Sequence, residues 1–190
     1  RKKKAFCPKT TTNNPSDQKS ERFYKIEDHR VTKQNEVWAL DLTYLPTDKG
    51  FSYLVVVMDL FNREVLGWDV SDSMSAENTK NALMKAVKRT PGALIGTTFH
   101  SDQGVQYCSE KVRGKIKLLN MTQSMSRKGS CYDNAFVESF FHTLKTELSP
   151  GNFRDVEEAK REIGKYINWY NSERLHSSLG YLSPLNYINQ

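Results

Sequence analysis

Bulky apolar residues stand at every second position from the point where a polar leading segment ends. They are Trp38, Leu40, Leu42 and Tyr44. A period of two is typical of a β-strand, and it places Asp41 on the face opposite these side chains. The nearly continuous apolar run at 53–61 predicts a central strand that is buried on both faces. Residues 64–70 predict a third strand after a tight turn, so the sheet is expected to open with an antiparallel meander.

The remaining pattern alternates between helices and short strands. Ser75 and Asn78 have the spacing of a capping box and predict the start of a helix. A later helix has an apolar stripe at helical spacing, formed by Val137, Phe141, Leu144 and Leu148. The predicted elements are a helix over 75–89, a strand over 97–102, a helix over 109–119, a strand over 122–126, a helix after 130, a helix over 155–170 and a loop-like tail over 175–190. This order predicts an α/β fold, with a five-stranded mixed sheet flanked by helices.

The length of 190 residues suits one globular domain with a substantial core. We divide it into a basic N-terminal arm or linker at 1–35, a core at 36–150 and a C-terminal helix and tail at 151–190 that pack on the core. The first residue is Arg1 rather than Met. We therefore expect the chain to be a fragment, with a DNA-binding region missing before the arm.

Positive charge is concentrated in two segments. The net charge is +6, and residues 1–22 contain seven basic and two acidic residues, an excess of five. A second excess lies between Lys111 and Lys128. Clustered basic residues are typical of proteins that bind polyanions, although a solvated face with a disordered arm would have the same composition.

Several classes of protein are disfavoured by the composition. No apolar run is long enough to cross a bilayer and no apolar leader follows Arg1, so we expect a soluble, cytoplasmic protein without membrane contact. The three cysteines, Cys7, Cys108 and Cys131, are odd in number and far apart. They indicate reduced thiols rather than a disulfide framework, and their spacing to histidine does not match a zinc site.

Three carboxylates occupy positions that local propensity does not explain. Asp41 lies in mid-strand, Asp102 ends a strand, and Glu138 lies in a helix after an intervening 35 residues. A mid-strand carboxylate is unfavourable unless it has a partner. Three carboxylates that converge from strands and a helix would suit Mg²⁺ or Mn²⁺, and two such ions about 3.5–4 Å apart can promote phosphoryl transfer. Asn134, His142 and Lys145 share the helix stripe of Glu138.

Four stretches together carry a resemblance to a known family. They are Trp38-Ala39-Leu40-Asp41-Leu42-Thr43-Tyr44, residues 100–107, residues 126–145 around Glu138, and the tail from Tyr170-Asn171 through Arg174 and His176 to Pro184. In these stretches the chain closely resembles the DDE transposases of bacterial insertion sequences, in the group made by fusion of two reading frames, whose catalytic domain is similar to retroviral integrase. The resemblance extends from about residue 35 to 185.

The resemblance implies an RNase H-like fold and DNA transposition. Water would hydrolyse a phosphodiester at the transposon end, and the freed 3′-hydroxyl would attack a second phosphodiester. Asp41 and Asp102 would hold two Mg²⁺ or Mn²⁺ ions, and Glu138 would complete one coordination shell. His100 is expected to orient the ligands from behind. The expected partners are terminal inverted repeats, target DNA and at least a second copy of the chain on nucleoid DNA.

DNA contacts are expected at six further residues. They are Lys145, Arg127, Lys128, Asn134, Arg174 and His176. For Arg174 and His176, pairing at the surface is an equal alternative. Phe136 and Phe140 are assigned to packing or subunit contact rather than base stacking, and Asp59 to an ordinary turn. An RNase H-like nuclease and a non-catalytic DNA-binding descendant remain alternatives to a transposase.

Overall fold

The computed structural model describes residues 31–90, 92, 94–102, 104, 107–125, 135–148 and 152–190. Most of the basic arm lies outside the described residues. The segment that contains Arg127, Lys128 and Asn134 lies outside them as well, so the predictions for these residues stay predictions.

Five strands form one mixed sheet, as the alternation predicts. They are β1 (Val37–Thr47), β2 (Gly50–Asp59), β3 (Val65–Ser71), β4 (Thr98–Ser101) and β5 (Thr122–Met125). Their order across the sheet is β3-β2-β1-β4-β5. The first three strands are antiparallel neighbours, whereas β4 runs parallel to both β1 and β5. A parallel pair needs a crossover, and the helices supply it.

Helices cover both faces of the sheet. They are α1 (Ala76–Arg89), α2 (Glu110–Leu118), α3 (Ala135–Glu147), α4 (Val156–Ser172) and α5 (Pro184–Ile188). One apolar core joins alternate residues of β1 and β2 to α3 and α4. The other joins the intervening residues to α1 and α2. Because the sheet is buried on both sides, β2 reads as a continuous apolar run.

The contact between β3 and α1 leaves no room for a side chain at Gly67. A Cβ atom built there would lie 2.5 Å from the Ala86 amide nitrogen and 3.0 Å from the Ala86 Cβ. The helix backbone therefore approaches the strand directly. This close approach fixes the distance between α1 and the edge of the sheet.

The start of α1 differs from the predicted capping box. Ser75 is the N-cap residue, but its side chain makes no capping hydrogen bond to the helix backbone. Its hydroxyl donates instead to Asn78 Oδ1 at 2.9 Å, and Asn78 donates to the Ser71 hydroxyl and to the Ser73 carbonyl oxygen. An asparagine amide that bonds back to the preceding loop replaces the predicted box, because that loop offers it acceptors.

The tail is ordered rather than loop-like, which corrects the prediction for 175–190. It contains a 3-10 turn over Ser177–Leu179 and α5, in which Ser183 accepts a hydrogen bond from the Asn186 amide. Pro184 stands at the first helical position, where its missing N–H costs no hydrogen bond. Such short helices give no periodic signal. Within the part of the chain that the structure describes, no helix is long and apolar enough to span a bilayer.

Candidate active site

Asp41 and Asp102 lie side by side because their strands are parallel neighbours. The register of β1 and β4 pairs Ala39 with His100. Asp41 lies two residues further along β1, and Asp102 lies two residues after His100, just beyond the end of β4. The charge of Asp102 raises the pKa of Asp41, so the two carboxylates are close. Asp102 follows the last residue of β4 and accepts a hydrogen bond from the Gly104 amide at 2.8 Å. The strand pair thus brings together two carboxylates that are distant in sequence.

Glu138 approaches the same face from α3. The buried residues of this helix, Val137, Phe140, Phe141 and Leu144, pack on the side of the sheet to which Asp41 belongs. Glu138 is exposed at one edge of that buried stripe. The helix that carries the third carboxylate therefore packs on the side of the sheet to which Asp41 belongs.

The electrostatics of Asp41 record the proximity of the other two acids. The pKa of Asp41 is raised from 3.8 to about 7, chiefly by burial and in smaller part by the charges of Asp102 and Glu138. A hydrogen bond from the Leu42 amide to Asp41 Oδ1, at 2.8 Å, acts in the opposite direction. An ionised Asp41 is therefore unfavourable at this position without a nearby positive charge.

The donor chemistry of the three acids fits a hard divalent cation. Carboxylate oxygens are the ligands that Mg²⁺ and Mn²⁺ prefer, and a cation would offset the cost of ionising Asp41. Within the described residues, however, no three His, Cys, Asp or Glu side chains stand close enough together to form a ready-made metal cluster. The predicted ligand roles of Asp41, Asp102 and Glu138 stay predictions.

His100 lies on the same face of the sheet as Ala39, two residues before Asp102, and is buried in the core. Its ring is fully buried, and burial lowers the pKa of His100 from 6.5 to about 4. The Nδ1 atom lies 2.9 Å from the Ser124 hydroxyl on β5. This contact fixes the ring between two strands, and a role in orienting the carboxylates stays a prediction.

Lys145 shares the exposed edge of α3 with Glu138 and His142. Its ammonium group lies 4.6 Å from the centre of the Tyr44 ring, on β1. Burial lowers the pKa of Lys145. Tyr44, which is 47% exposed, contacts Phe51 edge-on with ring centres 5.4 Å apart. The aromatic ring thus gives this ammonium group a contact on β1, which was not predicted although Tyr44 belongs to a matched stretch.

Arg174 and His176 lie elsewhere, where the tail meets α3 and α4. Two nitrogens of Arg174 donate to the Glu147 carboxylate at 2.8–3.0 Å, and the Tyr166 hydroxyl donates to it at 2.7 Å. The His176 ring meets Tyr170 edge-on at 4.8 Å. The pKa of His176 is lowered to about 4, chiefly by burial and in smaller part by the charge of Arg174. These side chains pair within the protein, and their DNA contacts stay a prediction.

Asp59 has the structural role that the sequence analysis favoured. It is fully buried and accepts hydrogen bonds from the Asn35 amide at 2.7 Å and the Phe61 amide at 2.9 Å. These bonds close the turn between β2 and β3 and tie the segment before β1 to the sheet. Burial raises the pKa of Asp59 to about 6. Phe140 is buried in the core, as its assignment to packing predicts.

Comparison with known proteins shows which sequence families and relatives the chain resembles. Two sequence families, each described as an integrase core domain, match residues 31–131 and 119–184. The transposase for insertion sequence element IS904 of Lactococcus lactis is 41% identical over 160 residues, which cover 82% of this chain and 62% of the relative. Transposase InsF for insertion sequence IS3fB of Escherichia coli is 44% identical over 168 residues, which cover 86% of this chain and 57% of the relative. The chain thus spans about three fifths of these relatives.

Solved structures share the fold at low sequence identity. A simian T-cell lymphotropic virus intasome, in complex with PP2A regulatory subunit B56 gamma, has a TM-score of 0.70 and 16% identity over 94% of this chain and 61% of that one. The HTLV-2 integrase catalytic core domain in complex with magnesium has a TM-score of 0.64 and 16% identity. The match covers 83% of this chain and 99% of that one. The fold is therefore RNase H-like, as expected.

Proposed function

The chain belongs to the integrase core domain family, and we propose that it is the catalytic part of an insertion-sequence transposase. It would hydrolyse a phosphodiester at the transposon end and join the freed 3′-hydroxyl to a second phosphodiester. One observation carries this proposal: Asp41 and Asp102 adjoin on parallel strands, and Glu138 stands over the same face on α3. The reaction would take place on nucleoid DNA in the bacterial cytoplasm.

Asp41, Asp102 and Glu138 would hold the divalent metal, Mg²⁺ or Mn²⁺, in a site for two ions. When bound, such ions activate the attacking oxygen and stabilise the leaving one. The chain would contribute the positions of the carboxylate oxygens that bind these ions. The partly buried Asp41 side chain favours a cation because its own charge is poorly solvated. His100, whose ring contacts the Ser124 hydroxyl, would keep the ends of β4 and β5 in place.

Lys145 would contact a phosphate of the transposon end. The Tyr44 ring contacts its ammonium group, and Lys145 shares the exposed edge of α3 with Glu138, so a strand that follows this edge would meet the charge. Arg127, Lys128 and Asn134 precede α3 and would extend the same contact. The basic arm at 1–35 would continue along the DNA, toward the terminal inverted repeats or the target.

A second copy of the chain is part of the proposal, because transposition joins two DNA partners. The HTLV-2 integrase core, a relative in fold alone, has been solved with magnesium in dimeric and trimeric forms. We propose at least a dimer on DNA.

The test is a strand-transfer assay with oligonucleotides that carry the element's own ends, in Mg²⁺. Glu138→Gln should abolish both cleavage and joining, because it removes a metal-binding charge and changes little else on an exposed helix edge. Glu157→Gln, at an acid on α4 whose side chain is 73% exposed, is the matched control and should retain both. Equal joining by the two variants would overturn the assignment. Cleavage without joining by the unaltered chain would indicate the nuclease instead.

A further inference from the structure

A cleft of about 380 Å³ lies between α3, the turn from β2 to β3, the end of α4 and the tail. Phe136, Phe140 and Thr143 form its α3 wall. At 100° per residue, these positions are turned by roughly 140–160° from Glu138. The cleft and the candidate active site therefore lie on opposite edges of the buried stripe of α3. The volume of the cleft is in the range of sites that bind small ligands.

The polar lining of the cleft favours an anion. Two guanidinium groups, from Arg63 and Arg174, face it together with the hydroxyls of Ser139, Thr143, Ser177 and Ser178. Among the described residues that line it, none carries a carboxylate. The Glu147 carboxylate bonds to Arg174 and neutralises part of its charge. Arg63 is therefore the principal positive charge of the cleft.

Arg63 is held in place by its backbone and by an aromatic ring. Its φ angle of 64° lies in the left-handed region, which non-glycine residues adopt rarely. The guanidinium carbon lies 3.4 Å from the centre of the Phe136 ring, and Nη1 donates to the Leu60 carbonyl oxygen at 2.6 Å. A guanidinium has five N–H donors, so these contacts orient the group without exhausting it. The result is a planar cation on an aromatic platform.

Two further groups in the cleft suggest a ligand with a planar ring and polar edges. The Nε2 atom of His176 is buried and has no hydrogen-bond partner among the described residues. Buried polar atoms are normally paired, so this nitrogen calls for a partner. Tyr181 is 71% exposed and Phe136 is 41% exposed, although both are large rings. Exposed rings beside fixed cations are typical of surfaces that bind unpaired nucleotides.

We propose that this cleft binds an unpaired nucleotide of a DNA strand. The phosphate lies against Arg63 and the hydroxyls of Ser177 and Ser178, and the base lies against the ring of Phe136 or Tyr181. This deepens the proposed function and rests on it, because a DNA strand is the expected substrate. It also revises the assignment of Phe136 to packing or subunit contact. An acidic segment of a second copy is the competing occupant, but the exposed rings favour a base.

The test measures binding of a short, fluorescein-labelled oligothymidine by anisotropy, in EDTA so that no reaction occurs. Ser178→Glu places a negative charge in the cleft, and Ser172→Glu places the same charge on an exposed serine of α4 that is outside the lining. Ser178→Glu should weaken binding roughly tenfold or more relative to Ser172→Glu. Thermal unfolding of both variants checks that the fold is retained.

A second measurement locates the strand directly. An oligothymidine that carries 4-thiothymidine should crosslink on irradiation to peptides from α3 or from residues 174–182, and Ser178→Glu should suppress these crosslinks. Equal affinities of the two variants, or crosslinks that exclude both segments, would overturn the proposal. So would a change of oligomeric state in Ser178→Glu with unchanged oligothymidine affinity, which would assign the cleft to a second copy.

The two proposals fail in different ways. If the strand-transfer assay fails but Ser178→Glu alone weakens oligothymidine binding, the cleft stands and the transposase assignment falls. If joining depends on Glu138 but the two serine variants bind equally, the transposase stands and the cleft proposal falls.

Discussion

The side-chain amide of Asn171 pairs with both backbone groups of Val65. Its Oδ1 accepts from the Val65 amide and its Nδ2 donates to the Val65 carbonyl oxygen, each at 2.9 Å. Since β3 is an edge strand, this amide substitutes for a neighbouring strand at its first residue. Both groups are buried, so α4 is fastened to the sheet by hydrogen bonds as well as by packing.

Asn171→Leu should therefore destabilise the fold. It leaves a buried N–H and a buried C=O without partners, at an expected cost of about 3 kcal/mol in the free energy of unfolding. Asn168→Leu, at an exposed position of the same helix, is the control and should change stability little. Urea denaturation measures both. Similar midpoints for the two variants would show that the pairing contributes nothing.

Two glycine substitutions should act in opposite directions. Gly67→Ala forces a Cβ against the α1 backbone and should cost about 3 kcal/mol or more, because neither the strand nor the helix can retreat without opening a core. Gly114→Ala lies in α2 with nothing within 4 Å of the new atom, and should stabilise by up to about 1 kcal/mol. Thermal denaturation of both variants tests this, and a stable Gly67→Ala protein would contradict the close approach.

The stability of the protein should fall between pH 6.5 and 4 in part through His176. Burial lowers the folded pKa of His176 from 6.5 to about 4, so in this range the unfolded chain binds a proton that the folded chain refuses. The nearby charges are Arg174 and Arg63, which oppose protonation, and Glu147, which favours it. Stability from this group is thus complete above pH 6.5 and lost as the pH falls.

His176→Phe should flatten this acid dependence. The phenyl ring of the variant stays neutral at every pH. Over this range the variant should therefore lose about 1–2 kcal/mol less free energy of unfolding than the unaltered protein, after allowance for the partial exposure of the imidazole. Urea titrations at several pH values give the comparison. Parallel pH profiles of the two proteins would contradict the prediction.

If the proposed function holds, Lys145→Gln should weaken the binding of the protein to transposon-end duplex DNA. Loss of one phosphate contact should reduce the slope of log affinity against log salt by about 0.9. Lys165→Gln is the control, because that lysine is exposed on α4 and pairs with Glu162. Salt titrations by anisotropy separate the two, and equal slopes would remove Lys145 from the DNA contact.

The sheet could be predicted from sequence because its signals are local. Alternation at Trp38 to Tyr44 and the apolar run of β2 each report burial on particular faces, and all five strands fall where these patterns indicate. The proximity of Asp41 to Asp102 needed more, because it depends on a parallel register that no local pattern encodes. The grouping was inferred instead from carboxylates at positions that local propensity does not explain, and the resemblance then agreed with it.

The tail shows a limit of sequence reasoning. For Arg174, DNA contact and pairing at the surface were equal expectations, and the structure pairs it with Glu147. The pairing of Asn171 with Val65 was not predicted at all. A polar residue that pairs across the fold has the same sequence signal as one that binds a ligand. The cleft was equally hidden, because the left-handed backbone of Arg63 and its stack on Phe136 join residues far apart in the chain.

The attachment of the tail has a consequence for synthesis. Asn171 closes the edge of β3, and Asn62 donates to the carbonyl oxygen of Pro184 at 3.1 Å, so the turn after β2 is completed by a residue 122 positions later in the chain. A chain that stops after α3 already contains all three carboxylates but lacks the helix that covers their side of the sheet. The side of the sheet that carries Asp41 is thereby completed only once α4 has been synthesised.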